Sequence, residues 1–366
     1  MLTPYIGPIG TAASIFPIIA LAVLLPMIVV HYWRFGRLHG FRALVFYSFI
    51  FFAITAYFLV ILPLPDRFDG FCEVYSRTVT PQLEPFGFIN DILTYDESLT
   101  GLALLQSLPR NSAFLQAFFN FLLLLPLGFY LRYYFGYGFF KSAVISFGVT
   151  LFFELTQLSG LYGLYPCPYR WFDVDDLILN TAGALVGYGV ASTMDFLPDL
   201  SKPAEGPIPV TALRRGVAFV LDGLLYTFTF GIVTVLIAIA EAAPVVQDVV
   251  DLLGVALWFV VVPTLWRGYT PGKRLTFMRI VHRDGGPVAW WQLAIRYGVL
   301  FYSVPVLTGL ILVLRLPGWL EAVGVIGVLL AYLLLVVLWS IIRRDDRGLH
   351  DMLARTRQVV SWHDDR

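Results

Sequence analysis

The residues of this chain best suited to chemistry are carboxylates and amides set at helical spacing inside apolar runs. Glu154 and Gln157 are three positions apart near the end of one hydrophobic stretch, which puts them on one helix face. Asp173, Asp176, Asn180, Gly183 and Gly187 recur at helical spacing along the next stretch, a polar stripe that runs into glycines. Asn120 lies in a third stretch, ahead of Pro126 and Gly128, residues that kink a helix or admit a close neighbour. An ionisable group inside an apolar span costs about 2.5–3.5 kcal/mol on insertion scales, so such groups usually face a bundle interior and carry function. Glu154 and Asp176 are the candidates for acid–base work. Asn120, Gln157, Arg170, Asp173 and Asn180 are the candidate binding groups around them, with Arg170 placed to meet an anionic headgroup. Asp173, Asp175 and Asp176 could instead hold a divalent cation that bridges to a phosphate, as hard oxygen ligands do. No other cofactor is indicated. A plainer reading also stands: Asp173 and Asp176 cap a helix, and Gln157 and Asn180 are interhelical hydrogen-bond glue.

The elements that must position these groups are membrane helices. Hydrophobic residues make up 58% of the 366 and charged residues 14%, and several nearly uncharged runs approach the ~20 residues that cross a ~30 Å hydrocarbon core. The expectation is an all-α polytopic transmembrane bundle of about nine spans, near 12–30, 43–62, 112–131, 142–160, 177–195, 216–240, 250–266, 292–314 and 319–342. The N-terminus has no basic residue and no small-residue cleavage site, so the first run reads as a retained helix. Arg34, Arg37 and Arg42 follow it, which puts the N-terminus outside and, after nine spans, the C-terminus in the cytoplasm. Twenty of the 25 Lys and Arg residues fall in the inner segments on that assignment. All five histidines fall outside the expected spans, which argues against a buried histidine metal site.

Four segments follow. Residues 1–42 hold the first helix and a basic loop, and 43–195 a membrane domain with a long outer loop at 63–111. Residues 196–213 form a cytoplasmic linker rich in proline and glycine, and 214–366 a second membrane domain with a C-terminal tail. Cys72 and Cys167 map to the same outer face, where disulfides persist, so a bridge between them is expected. In the last segment, Asp222 is expected to pair with Arg215 or Arg296 in a buried ion pair. Residues 274–288 are expected to fold as a short hairpin turning at Asp284-Gly285-Gly286.

Two sets of residues carry resemblances. Asn120, Pro126, Gly128, Glu154, Gln157, Arg170, Asp173, Asp176, Asn180 and Gly183, with their spacing, resemble the VanZ domain over about 43–195. Arg215, Asp222, Thr270, Gly272, Lys273, Arg296, Leu349, His350, Asp351 and Thr356 resemble the RDD domain over about 211–360. Gly272-Lys273 lacks the glycine pattern of a phosphate loop, so nucleotide binding is not supported. The VanZ resemblance implies a multi-pass protein of the bacterial cytoplasmic membrane that binds or processes a lipid or lipid-linked wall precursor at the outer leaflet. It also implies a contribution to resistance against teicoplanin-type glycopeptides. The RDD resemblance implies an alternative, cation/proton exchange through the second half; a scaffold without chemistry is the third reading. A membrane lipid or envelope precursor is the expected partner, and nucleic acid is not.

Overall fold

The computed structural model describes residues 3–66, 68–78, 81–94, 101–170, 172–200, 202–203, 206–240, 244–313, 317–342 and 347–362. The chain divides into two compact units, Met1–Leu24 with Leu38–Lys202 and Leu25–Arg37 with Pro203–Arg366. The first helix, α1 (Thr3–Phe35), contributes to both.

In the first unit α2 (Gly40–Ile61) is followed by short helices α3 (Phe71–Thr78), α4 (Gly87–Leu93) and α5 (Gly101–Ser107), all within the expected outer loop. Then come α6 (Ser112–Leu123), α7 (Leu125–Tyr133), α8 (Phe139–Leu158), the single turn α9 (Gly160–Gly163) and α10 (Val174–Ser192). The second unit holds α11 (Ala212–Ile239) and α12 (Pro244–Ala256), which runs through a π turn at Leu257–Val261 into α13 (Val262–Leu265). It continues with α14 (Pro271–Leu275), β1 (Met278–His282), α15 (Trp290–Val313), α16 (Gly318–Ile342), α17 (Leu349–Leu353) and β2 (Thr356–Val360).

Among the described residues seven helices are long and apolar enough to cross a membrane: α1, α2, α6 with α7, α8, α11, α12 with α13, and α15. The remaining two of the nine expected spans correspond to α10, which opens on two carboxylates, and α16, whose apolar stretch is Gly318–Tyr332. The third span is broken at Leu124, and Pro126 sits in the first turn of α7, where its missing N–H costs no hydrogen bond.

Glycines set the packing of α10 against α6 and α7. A Cβ added at Gly183 would lie 1.7 Å from the Phe121 carbonyl oxygen, one at Gly187 1.9 Å from that of Leu125, and one at Gly128 1.6 Å from that of Ala184. The backbones therefore touch, as helices do in a membrane where small residues replace hydrophobic burial as the source of contact. This contact fixes the register of the polar half of α10 against α6. Ala56, Val60, Leu124, Leu127, Phe153 and Ala184 close the core beneath.

Three expectations change in the second unit and the first helix. β1 does not fold back as a hairpin; it pairs antiparallel with β2 from the C-terminal tail, Met278 opposite Val360 and His282 opposite Thr356. A tight turn does follow β1, since the His282 N–H donates to the Gly286 carbonyl at 2.9 Å, but the ladder bonds go to the tail. Helix α1 runs five residues past its expected end, so His31 is inside it, buried, with Nδ1 2.7 Å from the Met27 carbonyl. Its last turns belong to the second unit. There Trp33 Nε1 donates to the Leu275 carbonyl at 2.9 Å, and Arg214 lies over the Tyr32 ring and donates to the Gly36 carbonyl. Orphan carbonyls at a helix end need such donors.

Candidate functional site

A cavity of about 1090 Å³ opens in the first unit between α2, α6, α8 and α10. The seven polar residues singled out in this half of the sequence all line it, against apolar walls that include Phe52, Leu59, Leu122 and Phe153.

The carboxyls sit on two facing helices. Glu154, 3% exposed near the end of α8, accepts the Asp173 backbone N–H through Oε2 at 2.9 Å. Asp173 caps α10, its Oδ1 accepting the Asp175 N–H at 2.8 Å. Burial lifts the Asp173 carboxyl above the ordinary aspartate range, against the pull of the Asp175 N–H. Asp176, next on the stripe, accepts the Asn120 side-chain amide from α6 through Oδ1. Asn180, one turn further along α10, is 4% exposed, and its Oδ1 has no hydrogen-bond partner among the described residues. A buried acceptor left unpaired costs about 1–3 kcal/mol.

Two residues do something other than expected. The Arg170 guanidinium donates to the carbonyls of Val60 at 2.6 Å and Leu62 at 2.9 Å. Tyr169 donates to Ile61 at 3.2 Å and Gln157 to Val60 at 2.9 Å. Together they satisfy the last carbonyls of α2, so Arg170 lines the cavity as a helix cap. Asp175, one of the three carboxyls expected to form a cation cluster, instead accepts the backbone N–H groups of Phe86 at 2.5 Å and Phe88 at 2.9 Å at the start of α4. Among the described residues no three His, Cys, Asp or Glu side chains are grouped so as to hold a metal ion.

Sequence reasoning missed Gln82 and Asp91, which also line the cavity. Gln82 bridges the 63–111 loop to the start of α10: its N–H donates to the Phe172 carbonyl at 2.8 Å, and its carbonyl accepts the Val174 N–H at 3.1 Å. No spacing in the sequence signals a partner about ninety residues away. Cys72 and Cys167 are joined, with Cα atoms 5.7 Å apart, beside the buried rings of Phe71, Tyr165 and Tyr169.

The polar set of the second unit forms two knots. Asp222 on α11, 1% exposed, accepts from Thr270 Oγ1 at 2.5 Å, from the Gly272 N–H at 2.7 Å and from Trp258 Nε1 at 3.4 Å, with Lys273 Nζ at 3.7 Å. Only glycine fits at 272, where a Cβ would meet the Ala218 carbonyl oxygen at 2.3 Å. Asp222 therefore pairs with Lys273, not with Arg215 or Arg296, because α14 presents its amides and its lysine directly to the carboxylate. Arg296 pairs instead with Asp351 and donates to Thr356 Oγ1 at 3.1 Å, tying α15 to α17 and β2. His350 Nε2 lies 3.4 Å from Asp351 Oδ2. Burial, followed by the charges of Arg296, Lys273 and Arg215, nevertheless lowers the His350 pKa to about 3. The Asp351 carboxylate is already taken by Arg296, so the imidazole is neutral. The charge of Arg215 acts on His350 and Arg296 of this second knot.

Residues 49–195 match the VanZ/LLP1 family model, and residues 209–355 match that of the RDD family. The chain is a VanZ-like domain followed by an RDD domain. The cavity belongs to the VanZ-like domain and both knots lie in or beside the RDD domain. The uncharacterized protein YckC of Bacillus subtilis (strain 168) is 33% identical over 106 residues, which are 28% of this chain and 55% of that protein. The chain thus spans about 55% of the length of this curated relative. No solved structure matches the chain.

Proposed function

We propose that the VanZ-like domain binds an amphiphilic lipid or lipid-linked wall precursor at the outer leaflet of a bacterial cytoplasmic membrane, and that this binding contributes to tolerance of teicoplanin-type glycopeptides. The observation that supports the reading is one cavity that joins carboxyl and amide groups to apolar walls within membrane-type helices. Such a mixed lining accepts a polar headgroup and the start of its chains together. Glu154 and Asp176 each give one oxygen to the protein and keep the other for a ligand, with Asn120 positioning Asp176.

Glu154→Gln and Asp176→Asn variants, expressed at wild-type levels, are expected to lose glycopeptide tolerance and to shift the lipid profile of the cells that carry them. Full tolerance with unchanged lipids in both variants refutes the reading. A transport role for the RDD domain gains no support from Asp222, whose three donors and Lys273 suit an anchor better than an exchangeable ion site.

A further inference from the structure

Resting on the reading of the cavity as a lipid-headgroup site, we infer that the headgroup is a phosphate-free sugar: the site takes a glycosyl lipid. Three features of the lining argue for this. First, it is rich in acceptors. Glu154, Asp173, Asp176 and Asp91 all face it, and Asn180 Oδ1 is buried without a partner among the described residues. A ligand must bring hydrogen-bond donors, and sugar hydroxyls supply several in a small volume.

Second, among the described lining residues the one Lys or Arg is Arg170, and it is already engaged as the cap of α2. Arg170 spends both terminal nitrogens on the Val60 and Leu62 carbonyls. A phosphate seated there would have to draw Arg170 off those carbonyls, whereas a sugar hydroxyl would not. Third, Phe52, Leu59 and Leu122 line the same cavity and offer apolar surface to the C–H face of a sugar.

The test is native mass spectrometry of the full-length protein released from nanodiscs, loaded with glucosyl diacylglycerol, phosphatidylglycerol and phosphatidylethanolamine of matched acyl chains. The expected result is at least tenfold preferential retention of the glucosyl lipid by the wild type. Asn180→Leu and Asp176→Ala are expected to reduce that retention at least tenfold and to leave the weak retention of the other two unchanged. Equal or better retention of phosphatidylglycerol or phosphatidylethanolamine by the wild type overturns the sugar assignment. If the same variants then abolish that retention, the cavity stands as a headgroup site for a different class. If the variants alter no lipid at all, both the sugar assignment and the headgroup reading fall. The wild-type competition decides the headgroup class even should a variant fail to fold.

Discussion

Replacing Gly183 by alanine tests whether the polar register of the VanZ-like domain depends on backbone contact between α10 and α6. The new Cβ would sit 1.7 Å from the Phe121 carbonyl oxygen, where ordinary contact begins at 3.4 Å. That oxygen belongs to helical backbone and cannot rotate aside, so the two helices must part by about 1.5 Å or more, a strain in the range of ~1–3 kcal/mol for overpacking. Separation also stretches the Asn120–Asp176 hydrogen bond, about two turns of α10 from Gly183 and next to Phe121 on α6, at a further cost of about 1 kcal/mol. The expected total is ~2–4 kcal/mol. Gly148→Ala on α8 and Gly189→Ala on α10 are the controls, since nothing lies within 4 Å of either added Cβ. Both should be neutral or stabilising by up to about 1 kcal/mol through helix propensity. Circular-dichroism melting of the three variants in matched nanodiscs reads the difference. If Gly183→Ala melts with the controls, the helices are not in backbone contact and the register argument fails.

Four further outcomes are expected. Reduction of the Cys72–Cys167 bridge, 95 residues apart in sequence, removes a constraint worth about 4–5 kcal/mol in the chain-entropy account; limited proteolysis should then cut the 63–111 loop, and unchanged digestion would count against its role. Asp222→Ala strands Lys273 and three donors, and a buried partner lost in this way costs about 3–5 kcal/mol. Melting should drop while lipid retention by the VanZ-like domain persists, and a wild-type melting point would remove Asp222 from the fold's support. Arg296→Met should expose the β2 amides to hydrogen exchange, because it removes the guanidinium that Asp351 and Thr356 share; unaltered protection would show that the tail holds without it. Finally, His350 is lowered to about 3, largely by burial. The unfolded chain takes up a proton below about pH 6.5 that the folded chain refuses, so stability is full above that pH and falls on acidification by up to about 1.4 kcal/mol per pH unit. His350→Gln should flatten the melting profile between pH 6.5 and pH 4, and an equal slope in the variant would assign the loss elsewhere.

The sequence makes some of this architecture visible and hides the rest for definite reasons. Asn120, Glu154, Asp176 and Asn180 are visible because a polar side chain in an apolar helix stands out, and its spacing names its face. The roles of Arg170 and Asp175 are hidden, since their partners are the backbone carbonyls of Val60 and Leu62 and the backbone amides of Phe86 and Phe88. Backbone groups are the same at every position, so no residue type advertises them. The pairing of β1 with β2 was obscured by the glycine turn after His282, a strong local hairpin signal that loses to a strand more than seventy residues away. Charge alone points Asp222 to an arginine. The decisive feature was Gly272, which admits α14 and its lysine against α11.

The most direct test is a cryo-electron microscopy map of the full-length protein in nanodiscs supplied with glucosyl diacylglycerol. The account predicts headgroup density among Asn120, Glu154, Asp176 and Asn180, with acyl chains running along Phe52 and Leu122. A cavity holding only water, with the lipid bound at another surface, would contradict it.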